Sequence, residues 1–312
     1  MPGATLITGA TGFAGSHLAD RLAAAGVEVH ALARSGGQPP AERSGIRWSV
    51  ADLLDRPALQ RVIAAIQPGV IYHLAGFAHV QDAWGSPARA LRVNALGTHA
   101  LLDACRQADL EPRIVIAGSA QVYAPSPLPL AEDAPIAPGN PYGLSKLAQE
   151  MTAAASGLPV LLTRPFNHAG PRQAPSYATS AFAQQIALIE AGRAEPVLRV
   201  GNLDARRDIT DVRDTVRAYH ALAERGVPLR PYNVCSGRVH SMRELLDILL
   251  SLAHVRVRVD VDPERLRPSD NPIIAGCHDR LTADTGWQPE IPIERTLSDL
   301  LEYWRGREAL MP

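Results

Sequence analysis

The chain has 312 residues, 46% hydrophobic and 20% charged, with 31 Lys and Arg against 32 Asp and Glu and a formal net charge of −1. That length can bury one large core or two unequal ones, and the even charge excludes the basic surface that nucleic acid or an anionic membrane requires, so an anionic ligand has to be caught by local arginines. No apolar run reaches the roughly 18 residues of a membrane span, Met1 to Ile7 lack a leader's charged and apolar regions, and Cys105, Cys235 and Cys277 lack metal-site or disulfide spacing, so a cytoplasmic protein without a metal is expected.

Strand-length apolar runs alternate with amphipathic stretches from the start: a strand at Ala4–Thr8, a helix at Gly15–Ala25, a strand at Glu28–Ala33, a helix at Arg56–Ile66 and a strand at Gly69–Leu74. A longer helix follows at about Ala88–Ala108, then a strand at Arg113–Gly118, a proline-rich loop after residue 124, a helix from about Pro141 to Ser156 and a strand at Val160–Arg164. Short buried strands alternating with helices imply parallel pairing with cover on both faces, hence an α/β, doubly wound, Rossmann-type sheet. Beyond residue 165 the alternation fades into helices near Ser180–Ala191, Arg213–Arg225 and Met242–Ala253 with short strands such as Val255–Val261. We therefore expect a dinucleotide-binding domain over 1–165, a return segment near 205–225, and a smaller α/β substrate-binding lobe over 166–312.

Gly9-x-x-Gly12-x-x-Gly15 follows the first strand and opens the first helix. Gly9 permits the tight turn, Gly12 lets backbone approach a pyrophosphate, Gly15 allows close packing of helix on strand, and the free N–H groups of the helix start face the anion. The end of the second strand, Val29 to Ser35, carries Arg34 and no acidic residue. An arginine there suits a ribose 2′-phosphate, so NADP(H) is favoured over NAD(H). Asp52-Leu53 either holds the adenine edge or is a helix cap beside a buried leucine.

Tyr142 and Lys146 stand four residues apart in Asn140-Pro141-Tyr142-Gly143-Leu144-Ser145-Lys146. On a helix they share a face, where an ammonium favours the ionised phenol. Together with His73-Leu74-Ala75-Gly76, Asn94-Ala95-Leu96-Gly97-Thr98, Arg164-Pro165-Phe166-Asn167 and Gly286-Trp287-Gln288-Pro289, the chain resembles, over nearly its whole length, the extended short-chain dehydrogenase/reductases that act on nucleotide-sugars. Arg164 to Pro171, Tyr232 to Gly237 and Arg207 to Val212 are most similar to GDP-4-keto-6-deoxy-D-mannose reductases and their dehydratase relatives. The resemblance implies a GDP-sugar substrate and a cofactor site that includes Phe13, Leu74 and Ala75. It also implies that Ser119 hydrogen-bonds the reacting sugar oxygen, Tyr142 exchanges its proton, and Lys146 holds the nicotinamide ribose while lowering the Tyr142 pKa. A plain strand end is the other reading of Ser119.

Dehydratases of this kind carry acidic residues in the two positions after that serine, where this chain has Ala120 and Gln121. Neither exchanges protons, which disfavours dehydration and leaves hydride transfer at a ketone. The expectation is NADPH-dependent reduction of the C4 ketone of a GDP-4-keto-6-deoxyhexose to GDP-rhamnose or GDP-6-deoxytalose. The rivals are an NAD-dependent nucleotide-sugar 4-epimerase and a cofactor-binding regulator without turnover. By the same resemblance Asn167, Arg207 and Arg267 grip the substrate's phosphates or ribose, and Arg172 faces the sugar or diphosphate. A salt bridge of Arg207 with Asp211 and a solvated loop charge at Arg267 are the alternatives, and His168 stays open between a sugar contact and a structural histidine. Asp211 and Asp214 read as capping and pairing within the following helix and Asn94 as an orienting contact or a cap, and the resemblance implies that the helices Asn94–Ala108 and Tyr142–Ser156 form a homodimer seam.

Overall fold

A computed structural model describes residues 3–34, 45–265 and 271–308. The first layer runs β1 (Thr5–Thr8), α1 (Phe13–Ala24), β2 (Val29–Ala33), β3 (Ile46–Val50), α2 (Arg56–Ile66), β4 (Val70–His73), α3 (Val80–Gly85) and α4 (Pro87–Leu91). A π-helical turn (Arg92–Leu96) leads into α5 (Gly97–Gln107), followed by β5 (Arg113–Ala117), α6 (Pro141–Ala154) and β6 (Val160–Pro165). The long helix expected near Ala88–Ala108 is thus helical throughout but divided by the π turn, which places Asn94 in the interior.

The second part runs β7 (Asn167–Ala169), α7 (Ala178–Glu190), β8 (Val197–Val200), β9 (Arg206–Asp211), α8 (Val212–Arg225), β10 (Pro231–Val234), β11 (Val239–Ser241), α9 (Met242–Ser251), β12 (Arg258–Val261), β13 (Ile273–Ile274), α10 (Asp279–Thr285) and α11 (Ile293–Glu308). The Val255–Val261 strand is shorter than its apolar pattern, and α11 went unread although its Ile293, Leu297, Leu300, Leu301 and Trp304 follow helical spacing.

Seven strands form one parallel sheet in the order β10-β6-β5-β4-β1-β2-β3. Alternate residues serve its two faces. Ile7, Tyr72, Val115 and Leu161 point toward α1 and α8, with Leu18, Leu22, Tyr219 and Trp287. Leu6, Ile71, Ile114, Ile116 and Leu162 point toward α2 and α5, with Leu59, Ile63, Leu101 and Cys105. The chain re-enters this layer through α8, β10 and the α10–Trp287 segment, well past residue 225. A third core joins Phe182 and Ile186 of α7, Leu245 and Leu249 of α9, and Leu297 and Trp304 of α11 around a small sheet in which β7, β11 and β13 all pair with β9.

Strand order reverses between β1 and β4, and a ligand crevice opens at such a reversal. The turn after β1 and the Leu74–Ala75 segment after β4 border it. The chain's second part reaches the same edge: His17 of α1 hydrogen-bonds the Pro171 carbonyl at 2.8 Å, and the Phe13 ring stacks on His168 with centroids 5.6 Å apart.

Candidate active site

The glycine turn is packed to the limit of backbone contact. A Cβ on Gly9 would lie 2.6 Å from Ala75 N, and one on Gly15 would strike the Gly9 carbonyl oxygen. Gly9 has φ +71°, the left-handed conformation that glycine adopts freely. Gly12 caps α1 with no side chain over the helix start, so the first N–H groups face outward into a cleft of about 930 Å³. Such a turn could hold a dinucleotide pyrophosphate by backbone rather than side chains.

Gly9, Gly12, Phe13, Gly15, Arg34, Asp52, Leu53, Leu74 and Ala75 all border this cleft, and so do Ser119, Tyr142, Lys146 and Asn167. Arg34 is exposed at its edge. Asp52 accepts from Leu54 N at 2.9 Å, whereas the cap of α2 is Asp55, which accepts from Ala58 N at 3.1 Å. Leu53 is buried, and Gly97 leaves room for it at the start of α5.

Two residues expected to contact the substrate do not border this cleft. Arg172 is off the cleft wall: in a left-handed conformation (φ +74°) it pairs with Asp20 at 2.7 Å, a partner far away in sequence. Arg207 is also off the wall, its guanidinium donating to the Arg206 and Pro272 carbonyls at 2.8 and 3.2 Å. Asp211 is engaged by Arg213 instead, at 2.7 Å, and caps α8, while Asp214 accepts from Glu290 N and Ile291 N, both at 2.8 Å. Arg267 lies outside the described residues.

Asn140 and Pro141 start α6 and thereby aim Tyr142 at the cleft: the Asn140 carboxamide accepts from Gly143 N at 2.8 Å, and proline takes the first helical position. Ser119 ends the segment after β5, accepts from Gln121 N at 3.1 Å, and stands beside the Tyr142 phenol, where it favours the ionised form. Burial pushes that phenol up to about 12, against the opposing influence of Ser119. This corrects the expectation that Lys146 lowers it. The ammonium is 6.0 Å from the Tyr142 ring centroid and is spent on the Ala117 carbonyl at 2.8 Å and Gln149 Oε1 at 2.9 Å, while burial brings Lys146 itself down to about 7. Tyr123, the other tyrosine after Ser119, is turned inward, bonded to Asn233 Oδ1 at 2.6 Å and to Arg164 at 3.0 Å.

Asn94 makes the expected kind of backbone contact. It clasps Phe77 N and O at 2.7 and 3.2 Å and donates to Ser145 at 2.8 Å. His168 borders the cleft and holds the Phe166 carbonyl at 3.2 Å. The sequence reading missed Arg89, Arg92 and Tyr177, which also border it. The two arginines carry only a helical i, i+3 signal, and Tyr177 none at all. Among the described residues no cluster of His, Cys, Asp and Glu is arranged for a metal ion, and no helix is long and apolar enough to cross a membrane.

A Rossmann sheet with a glycine turn and a Ser-Tyr-Lys group opening on one cleft is that of an extended short-chain dehydrogenase/reductase. The chain belongs to the GDP-mannose 4,6-dehydratase family, whose model matches residues 6–300. It is 37% identical over 308 residues to the GDP-6-deoxy-D-mannose reductase of Pseudomonas aeruginosa, covering 96% of this chain and 97% of that one. It is 28% identical to the GDP-mannose 4,6-dehydratase of Vibrio cholerae, over 95% of this chain and 92% of that one. Its fold superposes on the solved structure of RMD from Pseudomonas aeruginosa complexed with NADPH with a TM-score of 0.85 at 34% identity, covering 98% and 99% of the two chains. The UDP-glucose 4-epimerase of Thermus thermophilus in complex with NAD gives the same TM-score at 28% identity, over 97% and 99%.

Behind the cleft, next to Leu74 of its wall, lies one group whose neutrality can be tested. His73 is fully buried between Thr8 and Thr98, each 2.8 Å away, and burial and then Lys146 push its pKa down to about 3. Below its ordinary value of about 6.5 the unfolded chain takes up a proton that the folded chain refuses, so stability falls as pH falls toward the folded value, by roughly 1 kcal/mol for each unit. Urea unfolding at pH values from about 6.5 to about 5 should show a steeper loss in the wild type than in His73→Gln. Parallel slopes would mean that His73 is not held neutral.

Proposed function

We propose that this chain is an NADPH-dependent reductase of the C4 ketone of a GDP-4-keto-6-deoxyhexose, yielding a GDP-6-deoxyhexose such as GDP-rhamnose or GDP-6-deoxytalose. The observation that carries this reading is the composition of the cleft beside Ser119: a buried, protonated Tyr142 is present, and Ala120 and Gln121 stand where family dehydratases have proton-exchanging acids. The likeness to a GDP-6-deoxy-D-mannose reductase supports the same substrate class.

Bound NADPH supplies a hydride equivalent to the ketone carbon. The chain's own residues supply the rest. With its pKa raised to about 12, Tyr142 stays a phenol throughout the neutral range and donates its proton to the oxygen that becomes the alcohol. Ser119, beside the Tyr142 phenol, orients that oxygen, and Lys146, held by Ala117 and Gln149 on the same cleft wall, holds the nicotinamide ribose. Arg34, in place of the acid that selects NAD, provides for the 2′-phosphate. Asn167 serves the substrate phosphates from β7; Arg172, Arg207 and Arg267 stand as further candidates, the first two requiring rearrangement from their present contacts.

The reading goes with a cytoplasmic homodimer. Leu96 before α5 and Leu144 and Met151 of α6 are 57%, 49% and 64% exposed, which suits a seam between two copies. Sedimentation velocity should give a dimer that Leu144→Glu combined with Met151→Glu converts to monomer; a wild type that sediments as a monomer removes the seam.

Absorbance loss at the reduced nicotinamide band upon addition of a GDP-4-keto-6-deoxyhexose tests the activity, and co-purified NAD without net consumption would favour the 4-epimerase. Tyr142→Phe should lower turnover by about 10²–10⁴-fold while NADPH affinity stays within about twofold; unchanged turnover takes Tyr142 out of the reaction. Arg34→Ala should weaken NADPH at least about tenfold and leave NADH nearly unchanged. Equal losses for both would move the 2′-phosphate away from Arg34.

A further inference from the structure

Lys146 ends a buried hydrogen-bonded chain that begins beneath the glycine turn. Thr8 at the end of β1, His73 at the end of β4, Thr98 of α5 and Gln149 of α6 are all fully shielded from solvent. Thr8 Oγ1 lies 2.8 Å from His73 Nδ1, and His73 Nε2 lies 2.8 Å from Thr98 Oγ1. Gln149 Nε2 donates to that same Thr98 oxygen at 3.0 Å, and Gln149 Oε1 accepts from Lys146 Nζ at 2.9 Å.

One hydroxyl sets the direction of every proton in this chain. Thr98 has a single O–H, and it donates to the Asn94 carbonyl at 2.6 Å. Both other neighbours of Thr98 Oγ1 must then donate to it. His73 is accordingly the Nε2–H tautomer, with Nδ1 accepting from Thr8, and Thr8 Oγ1 accepts in turn from Ala75 N at 3.2 Å. Gln149 has to present its NH2 group to Thr98, which leaves its carbonyl oxygen facing Lys146. An ammonium has three donors. One goes to Ala117 O at 2.8 Å, one goes to Gln149, and the third remains on the cleft side, where Lys146 forms part of the wall.

We propose that Gln149 is a positioning residue for the Tyr142–Lys146 pair: fixed in one orientation by Thr98 and His73, it keeps Lys146 an ammonium and directs the remaining N–H into the dinucleotide cleft. What that N–H grips rests on the cofactor reading given above; the locking of Gln149 does not. The groups facing Lys146 are Tyr142 on its own helix, His73 from β4, Asn94 from the π turn beside Gly76, and the Ala117 carbonyl from β5. None of them is a carboxylate. Burial works against the ammonium and draws its pKa down to about 7, so a neutral acceptor at position 149 is what sustains the charge near neutrality. A hydrocarbon there deepens the depression, and a carboxylate reverses it.

Competitive acylation of the full chain from about pH 5 to about pH 11, read by mass spectrometry at Lys146, gives this titration without any cofactor. Gln149→Leu should move it down by about one pH unit and Gln149→Glu up by at least as much. Gln149→Met, closer in shape, replaces the leucine variant if that one fails to fold. NADPH affinity, followed by fluorescence at neutral pH, should fall about tenfold in the apolar variants and persist in Gln149→Glu. Titrations that coincide in all folded proteins overturn the proposal, because a glutamine that merely packs would change the melting temperature and leave Lys146 where it is. If Lys146 responds but NADPH binds none of the proteins, Gln149 keeps its role and the cofactor reading fails; if NADPH binds and Lys146 does not respond, the inference alone falls.

Discussion

The molecule is organised around a place where backbone meets backbone with no room for a side chain. Gly15 lies against Gly9, and Gly9 lies against Ala75, so α1, β1 and the segment after β4 are held at the closest spacing a polypeptide permits. That spacing opens the crevice where strand order reverses and leaves the first N–H groups of α1 uncovered. It also fastens the second part of the chain, because Phe13 and His17 of the same segment hold His168 and Pro171. The glycine turn and the loop after β7 thus share one anchor, and a shift of α1 would disturb both.

Burial decides the chemistry that the pair on α6 can perform. An exposed Tyr-x-x-x-Lys pair would be read as a phenol activated toward ionisation, and the sequence supports that reading. Packed with Ala83 of α3 and Ala90 of α4, the phenol loses more from desolvation than it gains from Ser119, while the ammonium is committed to Ala117 and Gln149. A phenol that keeps its proton is suited to finishing a reduction rather than to starting an oxidation, in agreement with the reading drawn from Ala120 and Gln121. Desolvation also accounts for the neutrality of His73 and thus for the ordered tautomer on which the chain of hydrogen bonds to Lys146 depends.

Much of this was legible from local pattern, and what was not follows from long-range contact. Short apolar strands alternating with helices foretold the first sheet because each strand is buried on both faces, and Gly9, Gly12 and Gly15 announced the turn because the constraint is local. The small sheet on β9 escaped reading because β7, β11 and β13 span two or three residues each, too few for a period to register. The ion pair of Arg172 was hidden for a similar reason: its partner Asp20 lies on α1, and nothing near residue 172 records it. Gln149 was within reach, one helical turn beyond Lys146 on the same face, but its meaning came from Thr98 and His73, which tertiary folding alone brings beneath it.

Gln121 shows how a position that gives up proton chemistry can acquire structural work. Its Oε1 accepts from Asn140 Nδ2 at 2.9 Å, and Asn140 in turn caps the helix that carries Tyr142. A Cβ on Gly143 would strike the Gln121 carbonyl, so backbone and side chain of residue 121 both brace the start of α6. A carboxylate at this position could accept the same bond, yet its charge would stand in the wall that Ser119 and Tyr142 share, where an anion opposes the loss of a proton from the phenol. The carboxamide supplies the brace without the charge. The side chain that cannot serve as an acid for elimination is therefore also the one that braces the helix carrying Tyr142, the proposed proton donor.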